Sequence, residues 1–160
     1  MPIRTTFAQT RQGLEDGAIV LQEVAGDKPV VFAVIGDMTL APAFEAAAVL
    51  KTEGIGSKIV SVINPRRLYR PTDVAWDTCS EPDGGFLSDA KFAQIFGGNA
   101  LIGVTGGAPA MLEPVMLRSN SPRDTFAWKR GETTASAGEL MAFNGITAEA
   151  LSKRGMELVK

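Results

Sequence analysis

The stretch from Lys28 to Pro65, KPVVFAVIGDMTLAPAFEAAAVLKTEGIGSKIVSVINP, reads as strand, turn, helix, turn, strand, and this order limits the chain to a small set of scaffolds. Val30 to Ile35 form an unbroken apolar run rich in branched residues, the pattern of a strand covered by helices on both faces. Gly36-Asp37 breaks the run, and Pro42 stands where a first-turn proline helps to start a helix, because its missing N–H has no intrahelical partner there. Ala43 to Lys51 are strong helix formers, Gly54 and Gly56 end that helix, and Lys58 to Ile63 supply a second buried strand. Two parallel strands need a crossover connection, which is almost always right-handed.

The alternation continues. Ser88 caps a helix from Ala90 to Phe96 that turns Phe92, Ile95 and Phe96 inward, with Asp89 favourable against its dipole. Ala100 to Val104 form a third buried strand ended by Thr105-Gly106-Gly107, and Pro109 opens a helix running to about Arg118. Thr125 to Lys129 read as a further strand, suited to a sheet edge. Ser136 and Glu139 have capping-box spacing, with Leu140 and Phe143 expected on the buried face of the helix they start. Asn144-Gly145 ends it, and Thr147 caps a last helix containing Leu151, Met156 and Leu158. Ahead of all this, Phe7 to Ala25 reads as one peripheral helix. The expected fold is α/β: a three-layer, open, mostly parallel sheet of about five strands with helices on both faces. It is expected as one domain over residues 1–160, with 1–27 a peripheral N-terminal helical segment and 28–160 the core.

Composition narrows the chemistry. A net charge of −2 gives no broad basic face for nucleic acid. No apolar run approaches the ~20 residues that cross a bilayer, and Met1 to Arg4 lead into no signal core, so a cytoplasmic location is expected. Cys79 is the only cysteine, which removes an internal disulfide and a cysteine-rich metal site. Histidine is absent altogether, which removes Ser-His-Asp and Cys-His triads and histidine-ligated zinc. No catalytic residue and no metal ligand is assigned. The candidate ligand or anion positions lie at strand ends: Gly36, Asp37 and Thr39 after the first core strand, and Gly106 and Gly107 after the third. Asp37 also reads as a helix cap, and the glycines as tight turns. Arg66 and Arg67, with Arg70, form the one basic cluster, suited to phosphate or to an interdomain salt bridge. Trp76, Trp128 and Tyr69 suit a subunit interface or core packing.

A resemblance joins these segments. Gly-Glu-Thr-Thr at 131–134, a capped helix, then Phe143 to Ala150 resemble the ending of the C-terminal domain of transketolase-type, thiamine-diphosphate-dependent enzymes. Val30 to Asp37 and Ile59 to Asn64 resemble the first two strands of that domain. The middle is most similar to phosphoketolase: Leu87 to Phe96, then Leu117-Arg118-Ser119-Asn120, then Trp128 to Thr134. The chain departs from the phosphoketolase pattern in having no histidine. The resemblance implies a dimer-supporting domain with no complete active site. Thiamine diphosphate and Mg would be held by other domains of the parent enzyme, and none would be bound by this chain alone. The expected partners are a second copy, giving a homodimer, or thiamine-binding catalytic domains. The implied parent reaction is phosphorolytic cleavage of xylulose 5-phosphate or fructose 6-phosphate to acetyl phosphate. The alternatives are the C-terminal domain of another transketolase-type enzyme, or a free-standing module binding a sugar phosphate or nucleotide near Gly36 and Gly106.

Overall fold

The computed structural model describes residues 5–70, 85–129 and 135–160. Trp76, Cys79 and the Gly131–Thr134 block lie outside them. The described elements are α1 (Phe7–Asp16), β1 (Ala18–Val24), β2 (Asp27–Ile35), α2 (Leu40–Thr52), β3 (Ile55–Val62), α3 (Asp89–Phe96), β4 (Ala100–Thr105), α4 (Glu113–Arg118), β5 (Arg123–Phe126), α5 (Ala137–Phe143) and α6 (Ala148–Leu158). The five strands form one sheet in the order β1-β3-β2-β4-β5. β2 pairs in parallel with β3 and with β4, β4 pairs in parallel with β5, and only β1 runs antiparallel, against β3. This is the open, mostly parallel α/β sheet expected.

The apolar run of β2 explains the layers. Successive side chains point to opposite faces, so Val30, Phe32 and Val34 enter one core with Ala43, Ala46, Ala47 and Leu50 of α2 and Leu151 of α6. Val31 and Ala33 enter the other, with Phe92, Ile95 and Phe96 of α3 and Val115 of α4. Both faces are covered, which is why the strand carries no polar alternation. The helices start where their caps stand: Ser88 accepts from the Lys91 N–H, Ser136 forms a capping box with Glu139, and Thr147 accepts from the Ala150 N–H.

Several expectations are corrected. Phe7 to Ala25 is not one helix: α1 stops at Gly17, whose left-handed backbone (φ 83°) donates its N–H back to the Gly13 carbonyl, and β1 follows. The branched Ile19 and Val20 go to strand because β3 has an open edge to pair with, and a bulge at Leu21 bends that edge strand. Gly56 does not end α2 but lies inside β3, pressed against Gly26. The last strand spans Arg123–Phe126, earlier than Thr125 to Lys129, because its register on β4 begins at Leu101 opposite Arg123. Pro109 opens a short 3₁₀ turn, Pro109–Leu112, before α4 begins. Phe143 does not face the core; it is 65% exposed, and α5 buries no residue.

Candidate functional site

The carboxyl ends of β2 and β4 form a crevice at the sheet rim. β2 ends at Ile35 and turns through Gly36, whose φ of 96° is open to glycine and costly for other residues, into the 3₁₀ turn Asp37–Thr39 and then α2. β4 ends at Thr105 and turns through Gly106-Gly107 toward α4. β2 and β4 are neighbours, yet α2 packs on one face of the sheet and α4 on the other. The two connections therefore diverge, and the gap between them is the topological switch point at which open α/β sheets place ligands. Here it is a cleft of about 280 Å³ walled by Ile35, Met38 and Met111 and floored by Gly36, Gly106 and Gly107.

The polar side chains among the described lining residues are already committed, with one exception. The Thr39 hydroxyl shares its proton between the Ile35 and Gly36 carbonyls, at 3.0 and 2.7 Å. The Gly107 N–H donates to the Thr105 hydroxyl at 3.0 Å, and the Gly107 carbonyl accepts from the Trp128 N–H at 3.1 Å. The exception is Asp37. It sits exposed in the turn, makes no ion pair among the described residues, and does not cap the helix by a side-chain hydrogen bond as expected.

The structure thus brings Gly36, Asp37, Thr39, Gly106 and Gly107 together, and leaves Arg66 and Arg67 outside the cleft. Both arginines lie in the turn Pro65–Leu68 that follows β3. Arg67 donates to the Gly85 carbonyl at 2.6 Å, which makes it a tie between two segments, and Arg66 is exposed. Arg70 donates to the Arg118 carbonyl.

Sequence reasoning missed the role of Arg118. Its side chain is buried, at 4% residue exposure, and stacks on the Phe92 ring with Cζ 4.4 Å from the centroid. It donates to the carbonyls of Leu68 (2.9 Å), Tyr69 (3.4 Å) and Leu87 (2.8 Å) and to the Asp89 carboxylate (2.7 Å). One guanidinium therefore fastens the turn after β3 to the N-terminus of α3. Hydrogen bonding from Arg118, then its charge, holds the Asp89 carboxyl below its ordinary range. The one available signal was an arginine closing the otherwise apolar Val115-Met116-Leu117 stretch.

No protein-family model matches the chain, and no curated protein matches it in sequence. Its fold does match solved structures. A split-gene transketolase, described as an inactive β4 tetramer, superposes with a TM-score of 0.58 at 20% identity over 89% of this chain and 42% of that one. Transketolase from Leishmania mexicana gives 0.63 at 19% identity over 92% of this chain and 18% of that one. Transketolase from Pichia stipitis gives 0.60 at 17% identity over 98% and 19%. This chain spans less than half the length of each of them. Similarity at this level establishes a shared fold, the open α/β sheet that these transketolases contain.

The thiamine diphosphate implied by the resemblance does not fit this cleft. A diphosphate needs free N–H donors and cations; among the described residues lining the cleft there is one carboxylate and no lysine or arginine, and the Gly107 N–H is occupied. Among the described residues no group of three His, Cys, Asp or Glu side chains is placed to hold a metal.

Proposed function

We propose that this chain is a noncatalytic, assembly-supporting domain of a transketolase-type thiamine-dependent enzyme, equivalent to the C-terminal domain of such enzymes and working in the cytoplasm. The observation that carries the reading is the fold likeness to transketolases over about nine-tenths of the chain. The split-gene transketolase, solved as an inactive β4 tetramer, is a precedent for a chain with this fold that assembles without activity. Exposed apolar side chains at Phe7, Leu14, Leu117 and Phe143 suit a chain that buries surface against partners. Within the family, the Leu87–Phe96 and Leu117–Asn120 blocks favour a phosphoketolase parent.

Sedimentation velocity on the isolated chain, and on the chain mixed with the thiamine-binding domains of a transketolase-type enzyme, tests this. Dimers or mixed complexes at micromolar concentration are expected. A strict monomer that binds no catalytic domain would remove the assembly role.

A further inference from the structure

We propose that the cleft between the carboxyl ends of β2 and β4 binds a compact aromatic group carrying a positive charge, an arylalkylammonium, and rejects phosphate. The inference stands apart from the assembly reading, because it rests on the cleft's own lining. Three observations point the same way.

The walls are apolar and soft. Met38 and Met111 face the space from opposite connections, and both are substantially exposed although large and apolar. Thioether sulfur makes favourable contacts with aromatic ring edges, and unbranched methionine adapts to the shape of what it meets. The Gly106 turn is backed by the Trp128 ring, since a Cβ placed on Gly106 would lie 3.6 Å from it. A volume of about 280 Å³ sits at the small end of ligand pockets, with room for a ring and not for a dinucleotide.

Two of the donors that could greet an anion are spent. Thr39 and Gly107 hydrogen-bond within the loops themselves, so a phosphate oxygen would meet no free hydroxyl or glycine amide from them. The one charge among the described lining residues is negative. Asp37 lines the cleft as an exposed carboxylate with no cation paired to it among the described residues, and it cancels the positive potential that a helix start would otherwise offer. A ligand ammonium completes the pairing that the protein leaves open, while a ligand anion meets like charge.

The test is a two-dimensional amide NMR titration of the full chain with three probes: tryptamine, indole-3-acetate and inorganic phosphate. Tryptamine and indole-3-acetate share a ring and differ in charge. Tryptamine is expected to shift the amides of Gly36, Gly106 and Gly107 with a dissociation constant on the order of 1 mM, typical of so small a ligand. Indole-3-acetate should bind about 5-fold more weakly, as an exposed charge pair allows, and phosphate should leave these amides unmoved. Asp37→Asn should abolish the difference between the two indoles, and Met111→Ala should weaken both. The proposal fails if tryptamine does not perturb these glycines, if phosphate does, or if Asp37→Asn preserves the cation preference. Self-association measured on the same samples reports separately on the assembly reading.

Discussion

Replacing Arg118 by methionine should destabilise the fold by about 3 kcal/mol, and the reason lies in the carbonyls rather than in the ion pair. Methionine keeps much of the buried stem but donates nothing. The Leu68 and Leu87 carbonyls, both in buried hydrogen bonds with Arg118, then lose their partner, at roughly 1–3 kcal/mol each. Loss of the guanidinium stacking on Phe92 adds about 0.5–2 kcal/mol. Relief from burying a charge offsets part of this sum, which brings the net to about 3 kcal/mol. Asp89 behaves differently. Its side chain is 80% exposed, so once Arg118 is gone its carboxylate is hydrated by solvent. Asp89→Asn should therefore cost only a minor fraction of what Arg118→Met costs. Urea unfolding followed by far-ultraviolet circular dichroism at pH 7 measures both, and thermal midpoints should fall by roughly 6–12 °C for Arg118→Met. Arg118→Met within about 1 kcal/mol of the parent, or an Asp89→Asn loss equal to it, would refute the argument.

Three further outcomes are expected. Because Arg118 lowers the Asp89 carboxyl below its ordinary 3.8, the stabilisation from that pair is whole above 3.8 and drains as pH falls through the lowered value; the stability gap between parent and Asp89→Asn should hold from about pH 7 to 5 and close in acid. Hydrogen bonds from Ser136 lower Glu139 from 4.5 in the same sense, so the capping box of α5 should also weaken only in acid, seen as helix fraying by amide NMR. Gly56→Ala should cost about 2 kcal/mol in urea unfolding, since its Cβ would sit 2.8 Å from the backbone oxygen of Gly26, whereas Gly138→Ala, with nothing within 4 Å on α5, should stabilise by about 0.5–1 kcal/mol.

The parts of this fold that were legible in the sequence are those specified locally. β2, α2, β3, α3 and β4 follow from apolar runs, helix formers and the serine and threonine caps, because both cores lie on strands buried on two faces. β1 was not legible, since Ala18 to Val24 carries apolar residues compatible with either period, and only Gly17 and the open edge of β3 decide for strand. The misplaced β5 has the same origin, because its start is fixed by the register on β4. Phe143 was assigned to the core, but α5 meets that core only through the partly buried Met141 and leaves Phe143 exposed. At the strand-end cleft, topology placed Gly36, Asp37, Thr39, Gly106 and Gly107 together. Its character was hidden, because whether Thr39 and Gly107 retain free donors depends on side-chain geometry. Arg118 was hidden for a different reason: its partners lie 29 to 50 positions away in sequence.

The central claim is that this chain supports chemistry carried out by other domains, and turnover tests it most directly. The purified chain, supplied with thiamine diphosphate, Mg²⁺, phosphate and xylulose 5-phosphate, should release no acetyl phosphate and no aldose phosphate above the protein-free background. Sustained turnover by the chain alone would contradict the account.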